Sequence, residues 1–164
     1  MKNLYKKLDT KLTGEENICR DCYKCCTAAA RQTVSAVEQA YIKKYLMEHK
    51  LSLTLMDDYE KFLNDRQNLY DKSVHNILCP FYDRDKKHCV IYPARPYSCR
   101  IYGNFSVSKE DLPAKCAYKK TTTIYNEKNL FKTVPCSEDY ASIAAAYKIY
   151  IKYIAWWSKI FYKI

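Results

Sequence analysis

The amino-acid sequence predicts a mainly α fold: a small single domain of several helices, interrupted by an irregular cysteine-rich segment and ending in a long C-terminal helix. Three observations predict it. Apolar residues recur at helical spacing in three stretches, 35–49, 52–69 and 137–164. Four of the five prolines, Pro80, Pro93, Pro96 and Pro113, fall between Asn76 and Lys120, where they fix the backbone and interrupt helices. At 164 residues the chain can bury about 70% of its unfolded surface, so its nine cysteines are not there merely because the protein is small.

In chain order, residues 1–18 are polar, with Leu4, Tyr5, Leu8, Leu12 and Ile18 at irregular spacing, and read as a loosely held lead-in. A helix is expected from Ser35 to about His49. Ser35 and Glu38 write a capping box there, and Val37, Ala40, Tyr41, Tyr45 and Leu46 keep helical period. Ser52 to Leu69 reads as a surface helix, with Leu55, Tyr59, Phe62, Leu63 and Leu69 toward one side. Ser137 is a good N-cap, and Glu138 and Asp139 sit in the first turn, where the helix dipole favours negative charge. The helix that follows carries Ile143, Tyr147, Tyr150, Ile154, Trp157, Phe161 and Ile164 on one side and Lys148, Lys152, Lys159 and Lys163 on another. Those lysines interrupt the apolar run before the ~20 residues of a membrane span, so the helix reads as amphipathic and no transmembrane segment is expected. The division expected is 1–18 lead-in, 19–120 cysteine-cluster domain, and 121–164 helical extension packed on the same domain.

Glycine occurs only at positions 14 and 103, which excludes GxGxxG, Walker A and other glycine-rich phosphate loops. The three histidines, His49, His75 and His88, are scattered and no HExxH occurs, so a His-based zinc hydrolase site is disfavoured. The first residues contain no apolar core of a secretory signal, which predicts a cytoplasmic location and reduced thiols. Metal ligation then explains the cysteines better than a disulfide framework does.

Cys19, Cys22, Cys25 and Cys26 form a CxxCxxCC run, in which two intervening residues let successive thiolates turn back on one ion. A bacterial ferredoxin would have its fourth cysteine after three residues following the third, at position 29, where this chain has alanine. Adjacent Cys25 and Cys26 point in different directions, so one of them is expected at a second centre. With Cys79, Cys89, Cys99 and Cys116, eight ligands are available for zinc or iron, the latter including an iron–sulfur cluster; the metal and its stoichiometry stay open. Cys136 stands evenly between ligand and buried hydrophobe. The irregular segment is thus expected to be stapled by metal.

These motifs resemble the YkgJ-type cysteine-cluster family, whose members are described as a zinc- or iron-chelating domain. Besides CxxCxxCC, the chain has Cys79-Pro80-Phe81-Tyr82 and then CVIYPARPYSCR, with Cys89, Tyr92, Arg95, Pro96, Cys99 and Arg100 at the spacing C-x-x-Y-x-x-R-P-x-x-C-R. The likeness covers about residues 19 to 103. Tyr23 stands in place of the family's glycine in CGxCC, and Gly103 where a proline often occurs. The resemblance implies metal chelation. Arg95 and Arg100 flank Cys99 and are expected to donate to thiolate sulfur, the alternative being an ordinary salt bridge with Glu or Asp. Glu38 matches a glutamate that the family tends to carry, and its role as a helix cap is the favoured reading. Tyr92 reads as packing.

No substrate, nucleophile or general base is evident, so whether the chain is an enzyme stays open. Flagellin lysine N-methylases look like larger proteins with this cysteine motif, but this chain has no glycine-rich S-adenosylmethionine loop. The alternative class is a zinc-stapled basic module binding nucleic acid or protein, supported by a net charge of +10 and 17 tyrosines. The lysines are spread along the whole chain and the tyrosines fall largely at helix-core spacing, so nucleic acid is disfavoured. The last helix offers a surface for a protein partner, a homo-oligomer or an anionic membrane. Eight thiolates outweigh two divalent ions, so part of the +10 balances the centre.

Overall fold

The structure is a computed structural model that describes residues 1–12, 34–68, 78–110, 112 and 116–161, with the backbone alone described at 62–68 and 153–161. The described residues are mainly helical. The helices are α1 (Lys2–Leu12), α2 (Ala36–Glu48), α3 (Thr54–Asn68), α4 (Tyr97–Ile101), α5 (Leu130–Thr133) and α6 (Ser137–Phe161). Two 3-10 turns, Tyr92–Ala94 and Ala117–Lys120, and four two-residue strands lie in and after the proline-rich segment. Strands β1 (Tyr82–Asp83) and β2 (His88–Cys89) form an antiparallel hairpin, while β3 (Phe105–Ser106) and β4 (Thr123–Ile124) pair in parallel.

The chain begins with a helix rather than a loose lead-in. Leu4, Tyr5, Leu8 and Leu12 are spaced by one, three and four, which is a helical stripe, and the first three are buried. They pack with Tyr97, Ile101 and Val134 in one core cluster. A second cluster joins Ile42 and Leu46 of α2, Met56 and Tyr59 of α3, and Phe81, Ile91 and Ala94 of the irregular segment. Helix α2 lies between the two, since Tyr41 packs against both clusters.

Helix α2 occupies the expected span, with Ser35 as N-cap and His49 as C-cap. Its innermost face is Glu38, Ile42 and Leu46, one residue round from the predicted apolar series. Helix α6 starts differently from the prediction. The Tyr140 amide donates to the Cys136 carbonyl at 2.9 Å, which puts Cys136 at the cap, with φ 59°. The Ser137 hydroxyl turns back to the Val134 carbonyl at 2.8 Å instead of capping the helix. Beyond the short α4, Gly103 has φ 98°, and a Cβ there would stand 2.6 Å from the ring of buried Tyr118. Glycine at this point lets the chain turn tightly against the second 3-10 turn.

Candidate metal centre

Phe81 anchors the first half of the described cysteine segment. It is buried against Tyr59, with ring centroids 4.6 Å apart, and the Tyr82 amide donates to the Cys79 carbonyl at 2.9 Å, folding Cys79-Pro80-Phe81-Tyr82 into a turn. The chain then enters the hairpin, where Tyr82 lies opposite Cys89. Asp83 ties the tip: its carboxylate accepts the amides of Lys86 at 2.9 Å and Asp85 at 3.0 Å, and these bonds, the Lys86 amide foremost, lower its pKa. Turn and hairpin together place Cys79 and Cys89 against the same core cluster, both half-buried. Tyr45 of α2 borders it too, and its pKa is raised by burial first and then by the charge of Cys89.

Pro96 precedes α4, whose third residue is the half-buried Cys99, and Cys116 caps the 3-10 turn Ala117–Lys120. Cys19, Cys22, Cys25 and Cys26 lie outside the described residues. Among the described residues no three His, Cys, Asp or Glu side chains gather into a metal-binding group.

The two arginines differ in their bonding. The Arg100 Nη1 donates to both carboxylate oxygens of Asp9, at 2.7 and 2.6 Å, its Nε to the Arg95 carbonyl at 3.1 Å and its Nη2 to the Pro93 carbonyl. The guanidinium also lies over the Tyr5 ring, 4.0 Å from its centroid. Among the described residues, then, Arg100 bonds oxygen, and it clamps α1 onto the proline-rich turn. Arg95 stacks on Tyr92 at 3.9 Å, and its buried Nε has no hydrogen-bond partner among the described residues. A buried N–H needs an acceptor, and a thiolate sulfur is one. Soft thiolates together with this unspent donor fit zinc or iron.

Glu38 is more than a cap. Fully buried, its Oε1 accepts the Tyr5 hydroxyl at 2.9 Å and the Tyr97 amide at 2.6 Å. Its Oε2 accepts the Ser35 amide at 2.8 Å, the Ser35 hydroxyl at 2.9 Å and the Tyr140 hydroxyl at 2.7 Å. One carboxylate thus joins α1, α2, α4 and α6, with Tyr97 two residues before Cys99. Burial, and then the charge of Glu38, push the Tyr5 and Tyr140 hydroxyls above the ordinary tyrosine range. Tyr97 is raised chiefly by burial. The sequence reading missed this hub; its signal was a glutamate on the stripe 38, 42, 46.

Cys136 is half-buried at the start of α6. It packs against the cluster of Tyr97 and Val134 and borders a cleft of about 390 Å³ lined by Lys7, Lys11 and Lys132. Lys7 there pairs with Asp139 at 2.6 Å, which raises the lysine's pKa.

A family model described as "CxxCxxCC: Putative zinc- or iron-chelating domain" matches residues 18–122, which takes in the cysteine run, the hairpin, α4 and the second 3-10 turn. No curated protein and no solved structure matches the chain. With most of its length matched, and with the matched region containing eight of its nine cysteines, the chain belongs to the CxxCxxCC family of zinc- or iron-chelating domains.

Proposed function

We propose that this protein chelates zinc or iron through thiolates drawn from Cys19, Cys22, Cys25, Cys26, Cys79, Cys89, Cys99 and Cys116, with Cys136 outside the set. The family match carries the reading. The packing of Cys79 and Cys89 on one cluster and of Cys136 on the other supports setting Cys136 apart from those two. Bound metal would supply cross-links to a segment whose own elements are two to five residues long. Arg95 is the better placed of the two arginines to donate to sulfur, because Arg100 already bonds Asp9. Each thiol must lose its proton to bind, so loading releases protons and weakens as pH falls.

Anaerobic purification with iron, sulfide and zinc analysis tests the proposal. Iron with acid-labile sulfide and absorption near ~400 nm identifies an iron–sulfur centre. Colourless protein with about two zinc ions per chain identifies structural sites. Cys22→Ser and Cys99→Ser are each expected to remove most of the metal, and Cys136→Ser to leave it nearly intact. Protein without metal under these conditions refutes chelation, and equal loss in all three variants refutes the division.

A further inference from the structure

Helix α6 is covered only over part of its described length. Its first turns lie against α2 and α5, with Tyr140, Ile143 and Tyr147 half-buried. From Lys148 to Lys152 five consecutive residues are exposed, among them Ile149 at 69%, Tyr150 at 56% and Ile151 at 44%. Successive residues of a helix point about 100° apart, so five in a row encircle the axis and no face of this turn is covered. The helix continues to Phe161, and residues 148–161 extend it by roughly 20 Å.

The sequence of this extension is one-sided in charge. Between Tyr140 and Ile164 there is no acidic residue, while lysines stand at 148, 152, 159 and 163. Spacings of four, seven and four keep the helical positions 148, 152 and 159 in one narrow lysine arc, and 163 continues the pattern. The rest of the wheel is isoleucine, tyrosine, tryptophan and phenylalanine, with Ala155 and Ser158. Yet no helix among the described residues is long and apolar enough to cross a membrane.

We propose that residues 148–161 dock on an anionic lipid bilayer, lying in the plane of the headgroups with the aromatic and aliphatic side toward the acyl chains and the lysines among the phosphates. Charge complementarity selects this occupant. A second copy brings the same net +10 and the same acid-free helix, whereas an anionic bilayer offers opposite charge along the whole arc. Tyrosine and tryptophan suit the interface because each joins an apolar ring to a polar group.

The chain's two tryptophans, Trp156 and Trp157, both lie in this stretch, so intrinsic tryptophan fluorescence reports on it alone. Full-length, metal-loaded protein is titrated with vesicles of phosphatidylcholine, and with vesicles of phosphatidylcholine mixed with phosphatidylglycerol. A blue shift and co-sedimentation with the mixed vesicles, both weakening as salt rises, are expected. Lys148→Gln with Lys152→Gln is expected to weaken binding about 25-fold, near fivefold per charge. Ile149→Ser with Tyr150→Ser is expected to abolish the blue shift while helicity by circular dichroism is kept. Equal binding to both kinds of vesicle overturns the proposal, as does the absence of any shift. A shift that follows protein concentration without lipid, together with faster sedimentation, assigns the helix to a second copy and overturns it too.

Discussion

Glu38 shows how much one residue can hold in this protein. Five donors from four parts of the chain converge on its buried carboxylate, and removing one leaves a charged acceptor short of a bond. Tyr5→Phe is therefore expected to cost about 1.5–3 kcal/mol, read from urea unfolding at neutral pH. Burial of the tyrosine hydroxyls around it predicts a pH dependence. Tyrosines of the unfolded chain ionise near pH 10, whereas Tyr5, Tyr97 and Tyr140 in the folded chain stay protonated to higher pH. The unfolded state then binds fewer protons, so stability is full below pH 10 and is lost as pH rises above it. In Tyr5→Phe the alkaline slope should be shallower by about 1.4 kcal/mol per pH unit, and an unchanged slope would show that Tyr5 is not part of the titration. The sequence made Glu38 legible as a helix cap. It did not reveal the three tyrosines, which come from positions 33, 59 and 102 residues away.

At the scale of elements, α1 is where sequence and structure part most clearly. Its apolar residues number only four in eleven, and a polar stretch of that length reads as loose until a surface for its stripe is known. The surface is supplied by α4 and Val134, and the charges follow: Asp9 meets Arg100, and Lys7 meets Asp139. The Arg100 side chain is only 2% exposed, so Asp9→Ala leaves its buried charge with carbonyl partners but no counter-ion and should cost about 2–4 kcal/mol. Leu8 is fully buried, and Leu8→Ala should cost about 3 kcal/mol. A disposable lead-in would show less than about 0.5 kcal/mol for either, measured by chemical denaturation. Helices α2, α3 and α6 were legible because period and caps are local. The start of α6 was displaced to Cys136 because the Ser137 hydroxyl found a nearer acceptor in Val134.

The whole molecule joins two kinds of order. Two apolar clusters bridged by α2 hold the helices, while the segment from 78 to 110 is made of strands, turns and a helix no longer than five residues. Such short elements bury little area of their own, so metal removal should raise hydrogen exchange across 78–110 well above that in α2. Uniform protection after chelation would place the stabilisation in the apolar clusters instead. By itself the sequence determined the mainly helical class, the irregular proline segment, the lack of glycine-rich nucleotide loops and membership of the cysteine-cluster family, because period, backbone restriction and cysteine spacing are all written over a few residues. Only the tertiary structure decided that α1 belongs to the core, that Arg100 answers Asp9, that Glu38 collects three tyrosines and that α6 is uncovered from Lys148 to Lys152. Those outcomes depend on which distant surfaces meet, and a hydrogen bond or a buried face is fixed by its partner as much as by its own residue.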